Sequence, residues 1–241
     1  GGKSLCYQVP AMLMDGLCLV VSPLIALMKD QVEGLRRKQI TAYAVYAGMT
    51  RKEVIDVFKL VCNSNCKFLF VSPERLESSL FLEYLPGMGV QLIAVDEAHC
   101  ISQWGYDFRP PYLRIAALRK ELPQVPVLAL TASATPVVQR DICERLRVDG
   151  SGIPAIIPSE TSDNTLPDVE GWNIFRQSFA RPNLSFEVHQ TDSVLAAIPR
   201  LLDKHPGCAI VYCRSRKRTK EISELLQAKG VAASFYHAGL S

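Results

Sequence analysis

The sequence lacks a charge imbalance, a long apolar run and a large number of histidines. Its 27 basic and 24 acidic residues give a formal net charge of +3, and only 4 of the 241 residues are histidine. A net charge this small permits nucleic-acid binding but does not indicate it. No apolar run has the length of a transmembrane helix, and no signal peptide is recognisable. We therefore expect no membrane partner.

The cysteines lack the spacing of a metal site. Eight are present, but only Cys62 and Cys66, and Cys208 and Cys213, lie close together, and neither pair has a histidine pair nearby. A structural zinc site needs four ligands at characteristic short spacings. We therefore predict no zinc site and expect reduced thiols packed in a core. The apolar fraction of 48% supplies such a core and excludes a disordered or collagen-like chain.

Short apolar runs alternate with helical stretches nearly to the end of the chain. Strands are predicted over 17–22, 41–47, 67–72, 91–96, 126–131, 183–189, 208–213 and 232–236. Helices are predicted over 24–39, 51–62, 111–122, 136–146, 193–204 and 216–229. Continuous apolar runs are typical of strands buried on both faces. The alternation predicts an α/β fold, a parallel sheet with helices on both sides.

The pattern breaks between Asp149 and Trp172. This stretch is rich in Ser, Pro, Asp and Gly and shows no periodicity, as expected of a linker or surface insertion. We therefore predict a first domain over 1–148, a linker or insertion over 149–177, and the beginning of a second domain over 178–241.

The chain opens with Gly1-Gly2-Lys3-Ser4 rather than Met. A phosphate-binding loop ends in Gly-Lys-Ser/Thr, where Lys reaches the phosphates and the hydroxyl binds Mg²⁺. The motif thus indicates a nucleotide site whose leading part is missing. Because Gly-Lys-Ser is short, a flexible polar terminus is the alternative.

Two adjacent carboxylates follow an apolar run in Gln91-Leu-Ile-Ala-Val-Asp96-Glu97-Ala98-His99. In P-loop enzymes a carboxylate at the tip of a strand holds Mg²⁺, and an adjacent Glu can act as general base toward water. The alternative is a solvated turn or a helix N-cap. Combined with Gly-Lys-Ser upstream, the pattern favours a hydrolytic site.

An aromatic-rich segment follows directly, with Trp104, Tyr106 and Phe108 interleaved with Gly, Asp, Arg and Pro. Aromatic side chains and an Arg on a loop can stack unpaired bases. The alternative is that the rings belong to the core, where most aromatic residues lie. The interleaved loop formers favour the first interpretation.

Residues 96–110, Asp-Glu-Ala-His-Cys-Ile-Ser-Gln-Trp-Gly-Tyr-Asp-Phe-Arg-Pro, resemble motif II and the aromatic-rich loop of the RecQ family of DNA helicases, in helicase superfamily 2. Other segments resemble the family's remaining motifs in the same order, namely 1–8, 21–31, 71–76, 130–135, 178–183, 211–216 and 236–240. The resemblance implies a P-loop, RecA-like parallel sheet flanked by helices, followed by the start of a second RecA-like domain.

The resemblance also implies roles for individual residues. ATP would be bound by Gly1, Gly2, Lys3 and Ser4, and Mg²⁺ by Ser4 and Asp96. The implied catalytic residues are Asp96, Glu97 and His99. Coupling of DNA contact to hydrolysis would involve Gln103, Trp104, Asp107, Phe108, Arg109, Ser133 and Thr135. Contacts with the single-strand backbone would come from Ser22, Lys29 and Arg75. On the residues alone, ordinary structural roles are favoured for these three, with Lys29 a solvated helix residue and Ser22 a helix N-cap before Pro23.

The implied activity is ATP-dependent 3′ to 5′ unwinding of DNA in recombination and repair, with single-stranded and forked DNA as partners. A cytoplasmic, chromosome- or nucleoid-associated location is implied, or a nuclear one in a eukaryote.

The family's arginine finger falls in later motifs, so we expect this stretch alone to hydrolyse little ATP. A DEAD-box-like RNA helicase and a nucleic-acid-binding module without unwinding activity remain the alternatives.

Overall fold

Five of the predicted strands form one parallel sheet in the computed structural model. The structure describes residues 2–147, 172–176 and 182–239, and the chain divides into two units, Gly1–Arg176 and Gln177–Ser241. Gly1, most of the predicted linker over 149–177, and parts of the segments 178–183 and 236–240 lie outside the described residues.

The sheet belongs to the first unit. Its strands are β1 (Leu17–Val21), β2 (Ala42–Val45), β3 (Phe68–Val71), β4 (Val90–Val95) and β5 (Val127–Ala129). Their order is β2-β3-β1-β4-β5, and every neighbouring pair is parallel. All residues of β1 and β3 are buried, because helices cover both faces of the sheet. The predicted α/β fold is confirmed.

Helices of the first unit are α1 (Leu5–Leu13), α2 (Ile25–Arg37), α3 (Arg51–Asn63), α4 (Ser79–Tyr84), α5 (Arg114–Glu121) and α6 (Pro136–Leu146). Alternate residues of β1 point to opposite faces. Val20 packs with residues of α1 and α2, while Leu19 packs in the larger core that includes residues of α3 to α6. Two of the helices, α1 and α4, are absent from the predicted set.

Short 3₁₀ turns fill several connections, at Pro73–Arg75, Leu85–Met88, Ala98–Ile101 and Pro110–Leu113. The turn at Pro110–Leu113 replaces the beginning of the predicted helix 111–122, and the α-helix starts only at Arg114. Parallel strands bring their carboxyl ends to one edge of the sheet. Ser22, Ser72 and Asp96, which follow β1, β3 and β4, therefore lie along the same edge.

In the second unit, α7 (Val194–Lys204) and α8 (Arg216–Ala228) pack through Ile198, Ile222 and Leu226. The predicted strands 183–189, 208–213 and 232–236 are wrong for this structure, which assigns no strand in the described part of this unit. A strand requires a neighbour for its backbone hydrogen bonds. An apolar run cannot supply that neighbour by itself, and most of 208–213 is exposed.

Candidate functional site

A cluster of opposite charges lies at the carboxyl edge of the sheet. Lys3, just before α1, places its Nζ 3.1 Å from Asp96 Oδ1 and in contact with Glu97 Oε1. Burial of the ammonium lowers the pKa of Lys3, but the hydrogen bond to Glu97 and the charge of Asp96 outweigh it and raise the pKa above its ordinary value. Lys3 therefore stays charged and offsets the two carboxylates.

The peptide between Asp96 and Glu97 is held from several sides. The Tyr112 hydroxyl donates to the Asp96 carbonyl oxygen at 2.8 Å, and the Glu97 amide donates to Asp96 Oδ1 at 3.0 Å. The Ala98 amide donates to the Leu130 carbonyl at 2.9 Å. Glu97 itself has φ 46° and ψ 46°, a left-handed conformation that is strained for a residue with a side chain.

His99 links motif II to the segment after β5. Its Nδ1 lies 3.0 Å from Thr131 Oγ1 and 3.3 Å from Glu97 Oε2. Thr131 Oγ1 also accepts from the Ser133 amide at 3.3 Å. The predicted catalytic residues Asp96, Glu97 and His99 thus lie together with Lys3, and Thr131 joins them. Thr131 was not among the predicted site residues, although it lies in the segment 130–135.

The aromatic-rich loop projects from this cluster. Trp104 is 74% exposed and Tyr106 is fully exposed, so the alternative that these two rings belong to the core is wrong. Gln103 and Asp107 are also exposed, and Phe108 is half-buried. Gly105 brings the loop close to motif II, since a Cβ there would lie 2.9 Å from the His99 carbonyl oxygen. The loop therefore presents rings to solvent from a backbone packed on motif II.

Asp107 and Arg109 form an ion pair within the loop. Arg109 Nη2 and Nε lie 2.9 and 3.2 Å from Asp107 Oδ2. The hydrogen bond from Arg109 lowers the pKa of Asp107, and the same bond raises the pKa of Arg109. The Arg109 amide also donates to the Cys100 carbonyl at 2.9 Å. The loop is thereby tied to the 3₁₀ turn that follows Glu97.

Ligand atoms of His99, Cys100 and Asp107 lie within 4.8 Å of one another. Sequence spacing gives no sign of this cluster. Each group already has a protein partner: Thr131 for His99, Asp107 for the Cys100 thiol at 3.8 Å, and Arg109 for Asp107. Hydrogen bonding between motif II and the loop accounts for their proximity.

The three residues implied in DNA contact are Ser22, Lys29 and Arg75, and each has its own surroundings. Ser22 is buried, and its Oγ makes no hydrogen bond within the described residues. Arg75 donates to the carbonyls of Tyr46 and Met49 at 3.1 and 2.8 Å, so its guanidinium fixes the loop after β2. Lys29 is exposed, with Nζ 5.0 Å from the centroid of the Tyr46 ring.

The structure also tests the local explanation of Ser22. The N-cap of α2 is Leu24, without a side-chain bond, so the N-cap alternative for Ser22 is wrong. The Ser22 amide instead donates to the Val71 carbonyl at 3.2 Å, continuing the ladder with β3. In the segment after β5, Thr135 caps α6 by accepting from the Val138 amide at 3.4 Å, and Ser133 is exposed.

A lysine at the start of a helix and two carboxylates after a buried strand, on the carboxyl edge of a parallel sheet, define the class of P-loop nucleotide-binding domains. The chain belongs to the DEAD/DEAH box helicase family, whose profile matches residues 1–141. Within the described residues, no helix combines the length and apolar character needed to cross a membrane.

The predicted resemblance to RecQ helicases is confirmed by curated relatives. The chain is 37% identical over 240 residues to the ATP-dependent DNA helicase RecQ of Haemophilus influenzae, covering 99% of this chain and 35% of that protein. It is 39% identical over 243 residues to the RecQ of Bacillus subtilis, covering 100% of this chain and 38% of that protein. The chain thus spans little more than a third of the length of these relatives.

A solved structure shares the fold. The crystal structure of the DUF1998 helicase MrfA bound to DNA and AMPPNP matches with a TM-score of 0.57 at 18% identity, covering 94% of this chain and 32% of that one. The sheet of this chain is accordingly of the RecA-like helicase type.

Proposed function

We propose that this chain is part of an ATP-dependent DNA helicase of the RecQ type, which moves 3′ to 5′ along single-stranded DNA and opens forked duplexes. One observation carries the proposal: the charge cluster of Lys3, Asp96 and Glu97 lies directly beside a loop that exposes Trp104 and Tyr106. The first group suits nucleotide hydrolysis and the second suits stacking on unpaired bases. The relatives described above are DNA helicases by name.

The residues present fit a magnesium nucleotide. The Ser4 hydroxyl does not cap α1, and Asp96 offers a carboxylate, so both are hard oxygen donors of the kind Mg²⁺ prefers. Gly2 has φ 91°, and no atom lies within 4 Å of the position a Cβ would take, which leaves room beside the backbone. Bound Mg-ATP supplies the phosphoanhydride bond whose cleavage releases free energy. In this proposal Lys3 and Gly2 bind the phosphates, and Ser4 and Asp96 hold the metal.

Glu97 is the proposed general base. Its carboxylate would accept a proton from the attacking water, while Lys3 neutralises charge beside it. His99 lies between Glu97 and Thr131 at 3.3 and 3.0 Å. That position allows His99 to orient the Glu97 carboxylate and to couple its orientation to the position of the segment containing Ser133.

The proposed DNA path runs over the aromatic-rich loop. Trp104 and Tyr106 stack on unpaired bases, and the exposed Lys29 contacts backbone phosphate. Gln103, Asp107, Phe108 and Arg109 connect these contacts to motif II through the packing of the loop on the His99 and Cys100 backbone. Such a protein acts at the chromosome.

Strand displacement and ATP hydrolysis test the proposal in the full-length protein. We expect stimulation of ATPase activity by single-stranded DNA and weaker stimulation by RNA of the same sequence. A partial duplex with a 3′ single-stranded tail should be unwound, and its 5′-tailed counterpart should not. Stronger stimulation by RNA would favour a DEAD-box-like RNA helicase. Binding without displacement, in a protein that hydrolyses no ATP, would favour a binding module.

A further inference from the structure

We infer that Tyr112 is a positioning residue. Its buried hydroxyl sets the direction of the Glu97 carboxylate and makes that direction depend on the position of the aromatic-rich loop. The inference rests on the proposed role of Glu97 as general base and deepens it. Tyr112 belongs to none of the motifs that the sequence singles out, and it lies 16 residues from Asp96 along the chain.

The backbone of Glu97 depends on its surroundings. Its left-handed conformation, with φ 46° and ψ 46°, is strained for a residue other than glycine and persists only where surrounding contacts enforce it. The carbonyl of the preceding peptide is fixed by the Tyr112 hydroxyl at 2.8 Å. Removing this donor leaves the carbonyl side of the peptide without its partner, so only the Glu97 amide, bonded to Asp96 Oδ1 at 3.0 Å, still holds the plane that determines where the Glu97 side chain points.

The hydroxyl donor of Tyr112 is itself held rigidly. Tyr112 is completely buried, and its ring packs in the same core as Ala98, Cys100 and Ile101 of the turn after Glu97. The ring therefore cannot turn away, and its hydroxyl stays directed at the Asp96 carbonyl oxygen at 2.8 Å.

Tyr112 lies immediately after the aromatic-rich loop. Its amide donates to the Arg109 carbonyl at 2.9 Å, and Arg109 pairs with Asp107 in the loop. A displacement of the loop by DNA thus reaches Tyr112 through three residues of backbone. The Tyr112 hydroxyl is hydrogen-bonded to the Asp96–Glu97 peptide, so Tyr112 can act on that peptide without contacting nucleotide or DNA.

Tyr112→Phe tests the inference, since it removes one oxygen and keeps the ring. In the full-length protein we expect the DNA-stimulated kcat for ATP to fall about 10- to 100-fold, the size of effect that misplacement of a catalytic group produces. The KM for ATP and the Kd of a fluorescent ATP analogue should stay within about twofold, because the binding groups are untouched. Tyr84→Phe is the matched control: Tyr84 packs against the same core from α4 and should leave kcat unchanged.

A double-mutant cycle separates positioning from a general structural role. If Tyr112 acts through Glu97, adding Tyr112→Phe to Glu97→Gln should lower the residual single-turnover rate by less than about twofold. Additive losses would overturn the inference, as would an unchanged kcat in Tyr112→Phe alone. A Tyr112→Phe protein without a folded circular dichroism spectrum would assign the hydroxyl to folding and also overturn it.

The outcomes distinguish the inference from the proposed function. Normal ATP hydrolysis by Glu97→Gln would reject Glu97 as the base, and with it the proposed mechanism, whatever Tyr112→Phe does. Inactive Glu97→Gln together with fully active Tyr112→Phe would leave the proposed function standing and reject only the role of Tyr112.

Discussion

Lys3 Nζ lies 3.1 Å from Asp96 Oδ1, although 93 positions separate the two residues along the chain. The contact joins the start of α1 to the end of β4 at the carboxyl edge of the sheet. Because Glu97 binds the same ammonium, one lysine offsets two carboxylates. Removing one member of such a cluster leaves a charge without its partner, which costs free energy of folding. Substitutions here therefore affect both nucleotide binding and stability.

Lys3→Ala should weaken nucleotide binding by about 10- to 100-fold, because a hydrogen bond to a charged group contributes roughly 1.5–3 kcal/mol. Titration of a fluorescent ATP analogue in Mg²⁺ measures the loss. Lys29→Ala is the matched control, since Lys29 is an exposed lysine of the same unit and should leave the nucleotide Kd unchanged. Equal nucleotide affinities in wild type and Lys3→Ala would show that Lys3 does not belong to the nucleotide site.

Trp104→Ala should weaken binding of single-stranded DNA by about 5- to 100-fold, since stacking of a base on an aromatic ring is worth roughly 1–3 kcal/mol. The chain has two tryptophans, and Trp104 is 74% exposed while Trp172 packs against the core. Titration with oligothymidylate should therefore quench the fluorescence of Trp104. The quenching should disappear in Trp104→Phe and persist in Trp172→Phe; the reverse pattern would place the DNA elsewhere.

Sequence pattern predicts the five strands of the sheet and the pair of carboxylates after β4 because both are properties of contiguous residues. The run Leu92 to Val95 reads as a buried strand, and Asp96 and Glu97 follow it directly. The contributions of Tyr112 and Thr131 depend instead on contacts across 16 and 32 positions. No local pattern contains such contacts, so these two residues could not be assigned from sequence alone.

Hydrogen-bond partners also explain the wrong predictions. Ser22 precedes Pro23 as an N-cap would, but its amide donates to Val71 and extends the sheet by one residue. The apolar run around Ile210 reads as a buried strand, yet Ile210 is 80% exposed, because strand formation depends on a neighbour that the run does not encode. In both cases the deciding interaction lies in another segment of the chain.

Ser22→Ala should raise the free energy of unfolding by about 1 kcal/mol, because a buried hydroxyl without a hydrogen bond costs roughly 1–3 kcal/mol and Ser22 Oγ has none within the described residues. Single-stranded DNA affinity should stay unchanged, since the hydroxyl is buried. Ser78→Ala is the opposing control: Ser78 caps α4 by accepting from the Phe81 amide at 3.2 Å, so its loss should lower stability by about 1 kcal/mol. Urea denaturation measures both changes in stability. Weaker DNA binding by Ser22→Ala would instead support the predicted contact of Ser22 with the DNA backbone.

Cysteine alkylation should report nucleotide binding at the start of α1. Cys6 is exposed and lies two residues beyond Ser4, so a bound nucleotide would shield it. Cys100 is buried, and burial followed by the nearby Asp107 raises its pKa to about 11. At pH 8 that thiol stays protonated, and only the thiolate reacts, so Cys100 should resist iodoacetamide.

Mass spectrometry of treated protein should show Mg-ATP slowing the alkylation of Cys6 several-fold. Cys208, which is exposed in the second unit, should react at the same rate with and without nucleotide. Equal protection of both thiols would indicate a general stabilisation of the protein rather than a ligand bound beside Lys3 and Ser4.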